Sequence, residues 1–197
     1  MKSKLLSMAV LACLSLMAVG APSRAAQPAG GVAKEAESAT TWVYPVIPKF
    51  GGVHPRPDVE VQPDPNVDYK IFVDVLSTQG DKGKPYGSLE RLARLVNLLG
   101  YAKVPAEHVH IVALLDRGAG AAGMTQAASR KYLKHDNPNL EILHALKKAG
   151  VKLEVCSQAM AEHHMQDSDV DPAITITLSA LTDPVVYGQQ GYTYMQL

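Results

Sequence analysis

Residues 137–160 read NPNLEILHALKKAGVKLEVCSQAM, and the folding of this stretch decides the architecture. Pro138 suits the first turn of a helix, where its missing N–H costs nothing, and Asn137 is placed to cap it. Leu140, Leu143, Leu146 and Ala149 recur at helical spacing and form one apolar stripe. Gly150 suits the stop. VKLEVC then reads as a strand that ends on a thiol.

The same alternation extends in both directions. Upstream, YKIFVDVLS from Tyr69 is a near-continuous apolar strand. GSLERLARLVNLLG follows with Leu89, Leu92, Val96 and Leu99 on one helical face, Ser88 as the expected cap and Gly100 as the expected stop. VHIVALLD (109–116) is apolar on both faces, as buried parallel strands are. A small-residue helix is expected from about Thr125 to Leu133. Downstream, ITITL is a fourth strand, SALTDPVVYGQQ a helix or turn, and GYTYMQ a last, edge strand. Strands alternating with helices imply parallel pairing. The expected fold class is α/β: a small, open, mainly parallel sheet of about five strands with helices on both faces.

The N-terminal third differs in composition. Residues 1–26 open on Lys2 and Lys4, continue apolar from Leu5 to Val19 and end in small residues, the pattern of a secretory signal peptide. The apolar run is short of the roughly 20 residues of a membrane span. Residues 27–40, small and polar, read as a disordered leader. In 41–67 the lone tryptophan, Trp42, and Tyr44, Ile47 and Phe50 alternate with prolines. Proline at that density forbids a helix or a central strand. An extended arm is expected there, lying against the domain or a neighbouring subunit, with the α/β domain occupying 68–197. Without residues 1–26 the chain carries 16 basic against 19 acidic side chains, so nothing points to nucleic acid or an anionic membrane. Location in the periplasm or outside the cell follows as an expectation.

Export makes the cysteine count informative. Cleavage removes Cys13 and leaves Cys156 alone. A lone thiol is buried and inert, paired with another chain, or reactive. At the junction of a strand and a helix, unpaired N–H groups of Ser157 and Gln158 and the helix dipole would favour the thiolate. Free cysteine is also among the most buried residue types, so local pattern leaves both readings open. In open parallel sheets working groups gather at the carboxyl ends of strands, and three loops qualify: after Leu76, after Leu115 and at Cys156. The second contains Gly118-Ala119-Gly120-Ala121-Ala122-Gly123, a formal dinucleotide fingerprint. No acidic residue about 20 positions on supports it, and it reads as a flexible glycine–alanine turn. His163 and His164 resemble metal ligands, but on a helix His163 lies about 10 Å along the axis from Cys156, against a metal–ligand bond of about 2 Å. Met160 and His164, one helical turn apart, form a better pair for copper, although two ligands are too few.

NPNLEILHALKKAGVKLEVCSQAM and LSALTDPVVYGQQGYTYMQ resemble the DsrE/DsrF-like family of sulfur-relay proteins, over roughly residues 69–197. The stretch YPVIPKFGGVHPRPDVEVQPDPNVDYKIFVDV resembles an exported branch. The resemblance implies trimers or hexamers and, for relay members, a cysteine that carries sulfane sulfur as a persulfide; Cys156 falls on its position. The expected site is then Cys156 as the attacking thiolate, Ser157 and Gln158 offering N–H groups, and Gly118 and Gly120 lining the facing loop; Arg117, in a turn that matches no known family role, either steers an anionic sulfur species or makes a surface salt bridge. A sulfur donor or acceptor protein is the implied partner, and no cofactor beyond the carried sulfur is required. Two rivals stay open: an oligomeric metal- or small-ligand-binding protein using Met160, His163 and His164, and an interaction module with an inert cysteine.

Overall fold

Seven residues of YKIFVDV alternate between two apolar faces, and both faces are covered in the computed structural model, which describes residues 41–76 and 83–197. The expected signal peptide and leader (1–40) and the loop after Leu76 (77–82) lie outside the described residues. The elements run β1 (Tyr69–Val75), α1 (Gly87–Tyr101), β2 (Val109–Leu115), α2 (Gln126–Tyr132), α3 (Leu140–Lys148), β3 (Lys152–Cys156), α4 (Ser157–Glu162), β4 (Ile174–Thr177), α5 (Asp183–Gln189) and β5 (Thr193–Gln196). The strands form one sheet in the order β4-β3-β2-β1-β5, and every pairing is parallel. The chain steps outward from β1 to β4, then returns through α5 to place β5 at the opposite edge.

Periodicity assigns the two faces. Val73, Val75, Ile111, Ala113, Leu115, Leu153 and Val155 pack under Leu89, Leu92, Val96 and Leu99 of α1 and Ile142, Leu143 and Leu146 of α3. The other face carries Phe72, Val112, Leu114 and Cys156, covered by Tyr187 of α5 and by Tyr192. This second cover is thinner. Leu178, Leu181, Val185 and Val186 remain exposed along it. No helix among the described residues is long and apolar enough to cross a membrane.

Helix ends depart from the sequence reading, two of them for tertiary reasons. Ser88 is a buried residue inside α1, whose N-cap is Tyr86. Gly100 also lies inside α1; a Cβ there would stand 2.3 Å from Cγ2 of Val46, so the glycine admits the N-terminal segment instead of ending the helix. Lys103, at φ 66°, makes the turn that follows. The N-cap of α3 is Asn139. Asn137 accepts from the Asn139 N–H at 3.0 Å and donates to the carbonyls of Ala122 and Met124. It therefore ties the helix entry to the preceding segment. Gly150 takes φ 91°, outside the range other residues favour, and ends α3.

Residues 42–53 form a clasp on the outer side of α1. An antiparallel bridge joins Val43 to Val53, and Ile47, Phe50 and Val53 are buried, so the core reaches back beyond residue 68. Asn97, fully buried on α1, accepts from the N–H groups of Val46 and Ile47 and donates to the carbonyls of Ile47, Phe50 and Gly51. A proline-rich segment has few internal hydrogen bonds of its own, and α1 supplies partners through this amide, through Glu90, which accepts from the Gly51 N–H, and through Arg94, which donates to the Gly52 carbonyl.

Candidate functional site

Cys156 ends β3 and is at once the N-cap of α4, because the strand's extended dihedrals (φ −72°, ψ 118°) pass directly into the helix. Its side chain faces the thinly covered side of the sheet, and the residue is only 3% exposed. The sulfur accepts a hydrogen bond from the N–H of Ala180 at 3.3 Å. Ala180 belongs to the loop between β4 and α5. Ser157 Oγ and Gln158 Nε2 hold that loop by donating to the Leu178 carbonyl, at 2.7 and 3.2 Å. Leu181 N–H donates to Ser179 Oγ and shapes its turn.

The thiol is not sealed. It lies at the floor of a cavity of about 390 Å³ whose walls include Asp116, Arg117, Gln158, Glu162, Ser179 and Leu181. The β2–β3 register pairs Leu115 with Val155, so Asp116 stands beside Cys156 one step further along. Asp116 is buried and accepts from the Arg117 N–H at 2.7 Å. Arg117 has φ 47°, a left-handed conformation costly for a side-chain-bearing residue. Its side chain is 77% exposed, and its Nε lies 3.7 Å from Asp116 Oδ2. The arginine therefore hangs over the cavity rim with most of its donor fork open.

Beneath the thiol the same face holds an acidic row. Glu154, 3% exposed, accepts from the Tyr187 hydroxyl at 2.6 Å and pairs with Lys152 at 2.7 Å. The Glu154 contact, followed by the Tyr187 contact, holds the Lys152 ammonium well above its usual range. Burial, with the Glu154 bond next, also raises Tyr187. Asp183, at the start of α5, accepts from Thr177 Oγ1 at 2.9 Å, and Thr177 is the β4 residue in register with Cys156. Burial pushes the Asp183 carboxyl up, against the lowering effect of the Thr177 bond, and the charge of Glu154 adds to the rise. On β1, burial likewise raises Asp74, whose Oδ2 accepts from Tyr194. Asp74 Oδ1, Glu154 Oε2 and Asp183 Oδ2 are buried without a partner among the described residues.

The structure gathers some of the expected site residues and separates others. Cys156, Gln158 and Arg117 meet at one cavity, with Ser157 bracing its loop. The hydrogen bond to the sulfur comes from Ala180, not from Ser157 or Gln158. Gly118 and Gly120 do not line this cavity. Residues 117–123 are a 3-10 helix, not a flexible turn, and Ala119, Gly120, Ala122 and Gly123 are buried in it. A Cβ on Gly123 would stand 3.0 Å from Ile174 and 3.2 Å from Leu115, so this glycine allows close packing on the sheet. Gly118 lines a separate apolar hollow with Met124, Tyr132 and His163. Met160 and His164 do not share a helix: α4 stops at Glu162, Met160 is buried in the core, and His164 lies past the helix end at φ 54°. Among the described residues no group of three or more His, Cys, Asp or Glu side chains could hold a metal ion.

A parallel five-stranded sheet with a thiol at the carboxyl end of an inner strand defines a small α/β thiol domain. The model of the DsrE/DsrF-like family matches residues 73–197, and the chain belongs to that family. No curated protein matches it. Among solved structures, the protein of unknown function MTH1491 from Methanobacterium thermoautotrophicum is similar at 14% identity and a TM-score of 0.45, covering 66% of this chain and 100% of its own. The ychN protein of E. coli gives the same identity and TM-score, covering 66% of this chain and 99% of its own.

Proposed function

We propose that this protein is an exported sulfur carrier that holds sulfane sulfur as a persulfide on Cys156. Membership of the DsrE/DsrF-like family supports a sulfur-relay type of function at the level of the family. The observation that carries the finer reading is the setting of one sulfur atom: at a strand end, under a directed N–H donor, on the floor of an open cavity. Thiol–disulfide-type exchange needs an attacking thiolate and a leaving sulfur that bears charge well. The Ala180 N–H is aimed at this sulfur, and a hydrogen bond to an ionised acceptor is stronger than one to a neutral acceptor. Loading forms an Sγ–S bond as the donor's S–S bond breaks; discharge to an acceptor thiolate reverses the step, and no oxidant is consumed. Asp116 opposes negative charge at the site and Arg117 favours it, so the arginine's role is to draw an anionic sulfur species to the mouth.

Leu181 on the cavity wall is exposed, as are Leu178 just before it and Val185 and Val186 of α5. Such clustering marks a protein contact and supports assembly into a homo-oligomer, with trimer or hexamer as the family-like forms, or docking of a donor or acceptor protein. The signal-like residues 1–26 support a periplasmic or secreted location.

One observation favours the rival of an inert thiol: Cys156 is 3% exposed and touches an apolar cluster. Cyanide release of sulfane sulfur separates the readings. Protein treated with polysulfide and desalted is expected to release one equivalent per chain, and the Cys156→Ser variant none. Release from neither protein would leave the inert-thiol reading standing.

A further inference from the structure

Three charged side chains line the cavity over Cys156: the buried Asp116, Arg117 loosely paired with it, and Glu162. Arg117 keeps most of its guanidinium free, with Asp116 no nearer than 3.7 Å. Glu162, the last residue of α4, has no hydrogen-bond or ion-pair partner among the described residues. Both line the same 390 Å³ space, and they do not pair with each other. Opposite charges held apart on one rim complement a ligand that is itself a zwitterion. The floor adds a size limit. The loop through Ser179 and Ala180 leaves the cysteine 3% exposed, so a bulky folded donor cannot bring its own sulfur to the floor without displacing that loop, whereas a small, flexible donor can.

We infer that the sulfur donor for Cys156 is a low-molecular-weight hydropersulfide with an amino-acid head group, its carboxylate bound by Arg117 and its ammonium by Glu162. This inference rests on the carrier reading of Cys156. The Cys156 thiolate attacks the outer sulfur of R–S–S–H. The Sγ–S bond forms, the donor's S–S bond breaks, and R–S⁻ leaves with the electron pair. The proton stays on the transferred sulfur, and nothing is oxidised or reduced overall.

Loading rates of the exported protein without residues 1–26, which leaves Cys156 as its one thiol, read by intact mass, test this with four donors: cysteine hydropersulfide, its analogues lacking the carboxylate or the ammonium group, and inorganic polysulfide. The expected result is about fivefold slower loading by each analogue, the factor of a partly solvated charge pair. Arg117→Gln should slow cysteine hydropersulfide about fivefold and leave the analogue without a carboxylate unchanged. Glu162→Gln should do the same for the ammonium group. Equal rates for the three organic donors, or an Arg117→Gln effect on the analogue without a carboxylate as large as on cysteine hydropersulfide, would overturn the inference while leaving the carrier reading intact. Loading by no donor, polysulfide included, would remove both.

Discussion

Replacing Asn97 by alanine should release the N-terminal clasp, and its cost can be worked from the contacts. The side chain is fully buried and closes five hydrogen bonds to residues 46–51. Truncation leaves the N–H of Ile47, itself 1% exposed, with no route to water, and strips the carbonyls of Ile47, Phe50 and Gly51 of a shared donor. The Val46 N–H is nearer the surface and recovers part of its loss. A buried group left without its partner costs about 1–3 kcal/mol, so the sum is about 3–5 kcal/mol. For a folded domain of about 5–15 kcal/mol that is a large share, and it corresponds to a fall in Tm of roughly 6–20 °C. Urea unfolding measures the loss. Trp42, the sole tryptophan, sits 5.6 Å under the Arg94 guanidinium, so its emission reports the clasp locally. Asn97→Asp makes a sharper comparison. The carboxylate keeps both accepting roles but loses the donors and sets charge against three carbonyls, so it should destabilise at neutral pH and recover as it is protonated. A loss below about 0.5 kcal/mol for Asn97→Ala, with unchanged Trp42 emission, would refute the reasoning.

Three other substitutions separate backbone from charge. Gly51→Ala combines φ 62° with a Cβ placed 2.1 Å from Arg94 N, and urea unfolding should show a loss of about 3–5 kcal/mol. Gly150→Ala has the strained φ of 91° but no atom within 4 Å, and should lose only about 1–2 kcal/mol; equal losses would remove the clash argument. Asp183 has a folded-state carboxyl raised above 3.8, mainly by burial. In the window between 3.8 and the raised value the folded state holds more protons than the unfolded, so this group's contribution to stability falls as pH rises. Asp183→Asn keeps an acceptor for Thr177 and removes that fall. Urea unfolding from pH 4 to 8 should give a stability difference, variant minus parent, that grows with pH and then levels; a flat difference contradicts the burial of that charge.

Much of the fold was legible because its signals are local. The apolar stripe of α3, the Gly150 stop and the strand ending at Cys156 follow one another in a single stretch. Two of the misread ends share a cause: residue types that usually punctuate a helix were serving another segment. Gly100 admits Val46, and Asn137 bonds to the carbonyls of Ala122 and Met124. The thiol's position was readable for the same reason that β3 was. Its donor was not, because a backbone N–H carries no residue signature and Ala180 lies 24 positions away. Glu154 was missed as well, though a signal existed. A carboxylate between Leu153 and Val155 in an inner strand must be paired, and Lys152, on the same face, was the nearest candidate.

The central claim is that Cys156 takes up a sulfur atom. Intact-mass measurement of the protein after exposure to polysulfide, alongside Cys156→Ser treated in parallel, tests it most directly. The account predicts a gain of one sulfur atom on the parent protein, lost again on addition of a small thiol, and no gain on the variant. The same adduct on both proteins, or on neither, would contradict it.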